Sequence, residues 1–127
     1  MSINSNSVAA WLNGYAQAWH SYDAEMIGGL FAEDAVYRYN PHDEPLVGRK
    51  AIVASWLGDT DEPGTYEGSY RPVAIDGDVA VAVGTSSYRD APGGEIVRVY
   101  DNCFLLRFDG NGRCAEFTEW YVKRPDA

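Results

Sequence analysis

Long hydrophobic runs are missing from this chain. Its longest unbroken apolar stretches are a handful of residues, as in Val79-Ala80-Val81-Ala82-Val83, far short of the roughly 20 that span a membrane as a helix. Basic residues are scarce: 10 Lys and Arg stand against 19 Asp and Glu, a formal net charge of −9. Such a surface repels phosphate backbones and anionic lipid, so neither nucleic acid nor a membrane is expected as a partner. Cysteine and histidine are rarer still, with two of each. Cys103, Cys114, His20 and His42 form no cluster at metal-ligand spacing, so no metal is expected. There is no Gly-rich phosphate loop and no nucleophile elbow, which argues against nucleotide and triad-hydrolase chemistry and leaves no cofactor indicated. The N-terminus lacks a basic stretch followed by an apolar one, so no signal peptide is expected. With so few cysteines, a cytoplasmic location is the expectation.

Aromatic side chains are what the chain has in quantity: nine Tyr, four Trp and four Phe among 127 residues. Tyrosine joins an apolar body to a polar tip, and nine of them in a small acidic domain suggest a half-polar interior or a pocket. High strand propensity explains them equally well. The length fits one domain over 1–127, with 1–6 as a flexible lead. Apolar content of 46% and charged content of 23% are those of a globular protein.

Val8, Trp11, Leu12, Tyr15 and Trp19 recur at helical spacing and predict a helix over Ser7 to Ser21, with Ser7 as its N-cap. Asp23 caps a second, short helix carrying Met26, Ile27, Leu30 and Phe31. A strand over Ala35 to Tyr39 puts Tyr37 and Tyr39 on one face. Pro41 and Pro45 make Asn40 to Val47 a loop, and Gly48 to Leu57 reads as a third helix. Four strands follow, Thr65 to Ile75, Val79 to Arg89, Glu95 to Phe108 and Arg113 to Lys123, separated by Gly-rich turns. Helices first and an antiparallel meander last mean an α+β fold.

The final hairpin has a definable register. If Phe108 pairs with Arg113, Asn102 lies opposite Glu119 and Tyr100 opposite Tyr121, on a face shared with Phe104, Leu106 and Phe117. Val97, Val99, Asp101, Cys103, Leu105, Thr118, Trp120 and Val122 occupy the other face. Cys114 shares that face with Cys103, too far along the strands for a disulfide, so two free thiols are expected. Apolar residues on both faces call for cover on both: helices on one, and a second copy of the chain on the other.

The segments Leu30-Phe31-Ala32-Glu33-Asp34-Ala35-Val36-Tyr37, Pro45-Leu46-Val47-Gly48-Arg49-Lys50-Ala51-Ile52, Phe108-Asp109-Gly110-Asn111-Gly112-Arg113 and Glu116-Phe117-Thr118-Glu119-Trp120-Tyr121 resemble the nuclear transport factor 2-like superfamily in its SnoaL-like, polyketide-cyclase-like branch. The resemblance covers nearly the whole chain. It implies a cystatin-like fold, a cone-shaped curved antiparallel sheet wrapped around N-terminal helices, with an internal pocket and frequent dimers across the outer sheet face. Set against ketosteroid isomerases, Tyr15 falls on the oxyanion-hole tyrosine and Trp56 on a supporting tyrosine. Their general base and second oxyanion acid fall on Tyr39 and Phe104, so that mechanism lacks both carboxylates. Against limonene epoxide hydrolase, Tyr37 and Glu119 match, but Val81 to Ser87 holds no charge for the proton relay. Trp19 and Tyr37 match the paired tyrosines of scytalone dehydratase, whose strand histidines have no counterpart.

Glu119, between Phe117 and Tyr121, is the sharpest catalytic candidate, because burial among rings raises a carboxyl's pKa toward neutrality. A structural Glu held by Asn102 is the competing assignment. Tyr15, Tyr37 and Tyr39 are candidate donors to a substrate oxygen. Trp19, His42, Trp56, Tyr100, Asn102, Phe104, Phe117 and Tyr121 are candidate ligand-binding residues. The expected guest is a small apolar molecule bearing one or two oxygens, handled by a cofactor-independent isomerase, cyclase, dehydratase or epoxide hydrolase. The alternatives are a non-catalytic ligand-binding domain and a dimeric interaction module.

Overall fold

The structure, a computed structural model, describes residues 3–58 and 60–126. The helices are α1 (Ser5–Ser21), α2 (Ala24–Gly29) and α3 (Arg49–Gly58), and the strands are β1 (Phe31–Arg38), β2 (Leu46–Val47), β3 (Tyr66–Asp76), β4 (Val79–Arg89), β5 (Ile96–Phe108) and β6 (Cys114–Lys123). One curved six-stranded sheet in the order β2-β1-β6-β5-β4-β3 folds over α1, giving the expected α+β class.

α1 forms where its apolar stripe predicts one: Val8, Trp11, Leu12, Tyr15 and Ala18 are its buried residues. It begins two residues early. Asn4, not Ser7, is the N-cap, and Ser7 stands three residues on as the reciprocal member of a capping box. The Ser7 amide donates to Asn4 Oδ1 and the Asn4 amide donates to Ser7 Oγ, each at 2.9 Å. Part of the expected flexible lead is therefore the start of α1, and Ile3 packs against the core. At the other end Tyr22, at φ 52°, closes α1 in the left-handed region.

α2 stops at Gly29, and Phe31 opens a strand instead of extending the helix. β1 hides its strand period because its register shifts between Phe31 and Val36, so Phe31 and Ala32 are both buried and Glu33 and Asp34 both exposed. β1 then runs parallel to β6, with Tyr37 beside Phe117. The sheet is thus mixed and not purely antiparallel. The chain crosses from β1 through α3 to the far edge, and the β3–β6 meander returns to lie against β1. Leu46 and Val47, expected in a loop, add a two-residue edge strand.

The β5–β6 register differs from expectation by two residues. Glu119 pairs with Phe104, Tyr121 with Asn102 and Lys123 with Tyr100. The reason is local. Asp109 Oδ1 accepts from the amides of Asn111 and Arg113 and draws the turn tight. Phe108 then pairs with Cys114, and the register shifts once more before Glu116 pairs with Arg107. Two steps of slip leave face assignments beyond the shift unchanged. Cys114 precedes it and turns inward, so it is fully buried and not on the outer face with Cys103. Both thiols are free.

The core is largely ring on ring. Phe117 stacks on Tyr37 at 4.4 Å and 3° and on Tyr15 at 5.6 Å and 17°. The Trp11 indole N–H donates to the Leu30 carbonyl at 2.8 Å, tying α1 to the end of α2. Among the described residues no helix is long and apolar enough to cross a membrane. Because Phe117 is fully buried at this junction, Phe117→Ala is expected to cost about 3–5 kcal/mol of stability. Urea denaturation should show a lower midpoint at an unchanged slope.

Candidate functional site

The concave face of the sheet and α1 enclose a cavity of about 310 Å³. Alternation along β3, β4 and β5 supplies its walls. Tyr66 pairs with Tyr88 and Tyr88 with Arg98, so these three form one cross-strand row. Tyr70, Gly84 and Asn102 form another, which continues to Tyr121. Two glycines let the rings lie flat across the strands: a methyl at Gly68 would overlap the Tyr66 hydroxyl, and one at Gly84 would overlap the Tyr70 ring. α1 contributes Tyr15 and Trp19 from above.

Glu119 reaches this cavity from β6 and is 8% exposed. Its Oε2 accepts a 2.7 Å hydrogen bond from Asn102 Nδ2. Ser86 Oγ donates to Asn102 Oδ1 at 3.1 Å, which fixes which way that amide faces. Three neighbouring strands therefore hold one carboxyl: β4 orients β5, and β5 orients β6. Burial raises Glu119 from its ordinary 4.5 to about 7, with the Asn102 bond pulling the other way. Among the described ion pairs none reaches Glu119.

The hydroxyls around it stay protonated. Burial is the largest cause pushing Tyr15, Tyr37, Tyr66, Tyr70 and Tyr88 upward, and the Glu119 charge adds to each. Tyr66 and Tyr70 share a hydrogen bond of 2.7 Å. The Tyr39 hydroxyl meets Ser55 Oγ at 2.9 Å. At the rim, the Tyr22 hydroxyl donates to Asp61 Oδ2 at 3.0 Å and accepts from the Asp61 amide at 3.1 Å, which anchors the acid at the mouth. The Arg98 guanidinium lies 4.3 Å over the Tyr88 ring.

Of the expected site residues, Tyr15, Trp19, Tyr39, Tyr100, Asn102, Glu119 and Tyr121 line the cavity, Tyr121 as a half-exposed rim residue. Five do not, and these are corrections. Phe104 and Phe117 are core rings beneath Tyr15. Trp56 is covered by Trp19, stacked on it at 4.3 Å. His42 projects from the turn after β1, with its side chain 81% exposed beside Asp43. Tyr37 lies fully buried behind the wall. The Tyr37 hydroxyl and Trp56 indole N–H form no well-aligned hydrogen bond, although Tyr15 and Trp56 sit close enough to Tyr37 to draw its pKa down against burial.

Sequence reasoning missed Asp61, Tyr66, Tyr70, Ser86, Tyr88 and Arg98. Strand alternation carried a signal for the last five, since each shares the even parity of Asn102 and so its face of the sheet. Asp61 sits in a turn and carries no such mark. Among the described residues no three His, Cys, Asp or Glu side chains converge as a metal would need.

A family model described as a SnoaL-like domain matches residues 12–117. The chain is similar in structure to an NTF-2 like protein of unknown function from Burkholderia xenovorans, with a TM-score of 0.70 and 19% identity over 96% of this chain and 88% of that one. No curated protein matches it.

The raised carboxyl makes stability depend on pH. Between 4.5 and about 7 the folded protein keeps a proton that the unfolded chain has lost, so this group's contribution falls as pH rises through that window. The full effect is about 3 kcal/mol, reached above the folded value. Glu119→Gln should abolish it: relative to the unmodified protein, the variant should gain roughly that amount between about pH 4 and pH 8 in urea denaturation. Parallel pH curves for the two proteins would show that Glu119 is not buried as described.

Proposed function

The chain belongs to the SnoaL-like domain family of the nuclear transport factor 2-like superfamily, and from that premise we propose that its cavity binds a small molecule and moves a proton on it. The observation that carries this reading is Glu119: a carboxyl inside a ring-walled cavity, with a pKa raised to about 7. Near neutrality such a group exists in both forms, so it can take a proton from a guest and return it. Asn102 holds the carboxyl in place, and Tyr15 and Tyr39 offer hydroxyls to an oxygen on which charge develops. Donors fixed in a dry site stabilise such a charge by several kcal/mol because they need no reorganisation. The reaction class is isomerisation, cyclisation, dehydration or epoxide opening of a small, mostly apolar, oxygen-bearing molecule, using the chain's own side chains as acid and base.

A second reading, ligand binding without turnover, is favoured by the Ser86–Asn102–Glu119 chain itself, which satisfies the carboxyl in the way structural groups are satisfied. Turnover of a panel of such molecules, assayed against pH, separates the two. The catalytic reading expects a rate profile with a limb near 7 and a loss of about 10²–10⁴-fold in Glu119→Gln, with binding of uncharged compounds retained. Binding with no turnover of any compound supports the second.

We further propose that two copies pair through the outer sheet face. Val97, Leu105, Trp120 and Val122 lie exposed there on β5 and β6. The ion pair Arg107–Glu116 flanks one end of that patch, and Asp101–Arg124 lies within it, with Asp101 opposite Val122. Charges of both signs let this face meet itself in an otherwise acidic protein. Trp120→Glu is expected to halve the mass measured by sedimentation equilibrium and to leave the far-UV spectrum unchanged. An unmodified protein sedimenting as a monomer would end the dimer proposal. Two free thiols fit a reducing cytoplasm, where we place the protein.

A further inference from the structure

Rings supply the apolar walls of the cavity. Among the described residues no Leu, Ile, Val, Met or Ala lines it. A site for a neutral hydrocarbon body has no need to exclude aliphatic side chains, whereas a cation gains from ring faces specifically, because their quadrupole presents negative charge. The molecule already uses one face in this way: the Arg98 guanidinium rests over Tyr88 at the rim.

The carboxyl at the far end lacks the partner that buried charges have. Glu119 is 8% exposed, and no described ion pair reaches it, although buried carboxylates are normally matched with a cation. Each element packed around it faces it with a neutral group: Tyr15 from α1, Tyr37 from β1, Tyr66 and Tyr70 from β3, Tyr88 from β4 and Asn102 from β5. The charged groups at the rim, Asp61 and Arg98, are held by Tyr22 and Tyr88. The chain's net charge of −9 draws cations toward the mouth.

We propose that the guest brings the missing charge: an organic cation, a protonated or quaternary amine on a small oxygen-bearing body, seated between the ring faces and the Glu119 carboxylate. This rests on the cavity being a ligand site, as proposed above, and names the class of molecule it takes. It also gives binding a chemical consequence. A cation beside Glu119 favours its ionised form, so the base is generated when the guest arrives.

The test uses a matched pair of probes, choline and its uncharged isostere 3,3-dimethylbutan-1-ol, titrated calorimetrically into the full chain at about pH 8. Choline is expected to bind at least tenfold more tightly. In Glu119→Gln that preference should collapse while the alcohol binds as before. A second measurement needs no variant: carbon NMR of the Glu119 carboxyl should show choline lowering its midpoint by about one unit, the same tenfold preference, and the alcohol leaving it in place. Equal or tighter binding of the alcohol to the unmodified protein overturns the cation inference and leaves the small-molecule cavity standing. If neither probe binds, nor any neutral oxygenated compound in the panel, both fall.

Discussion

One carboxyl taken out of water, with a side-chain amide for a partner and no cation among the described residues, is the constraint around which this molecule is organised. Keeping Glu119 in that state needs walls that exclude solvent without offering countercharge. Tyrosine rings supply both, since their hydroxyls are themselves pushed upward and stay neutral. It also needs an anchor. Asn102 serves because Ser86 settles the direction of its amide, so three adjacent strands must keep register for one carboxyl to be held. The curvature of the sheet and the position of α1 follow as the means of closing the cavity around that point.

The hairpin register shows how local turn chemistry reaches the site. The Asp109 carboxylate gathers the turn amides, and the shift before Glu116 adds its own step, so Glu119 comes opposite Phe104 and diagonal to Asn102. A slip by an even number preserves the inward face. That is why a wrong pairing still put Glu119, Asn102, Tyr100 and Tyr121 on the correct side. Cys114, on the near side of the shift, is displaced by one residue only, and an odd slip turns it inward against expectation.

Much of the site was legible because strand alternation needs no knowledge of partners. Tyr15 and Trp19 were legible from the helical stripe. For the β3 and β4 tyrosines and Ser86 alternation marked the shared face, but their meeting depends on two further registers that a single strand does not reveal. Tyr37 and Phe117 carried the right parity but differ from Tyr15 in depth, and they became core. His42 had the right chemistry on a turn that points into water.

From the sequence alone came the acidic charge, the absence of metal-ligand spacing, the helical stripe of α1, the meander and the inward face of β5 and β6. Each is a composition or a short-period pattern, set by covalent geometry within a few residues. The tertiary structure decided which rings are wall and which are core, brought Asp61 and Arg98 to the mouth, and set the Asn102 amide against Glu119. Those outcomes depend on how far the sheet curls over α1, and curvature is a sum over contacts between residues distant in the chain.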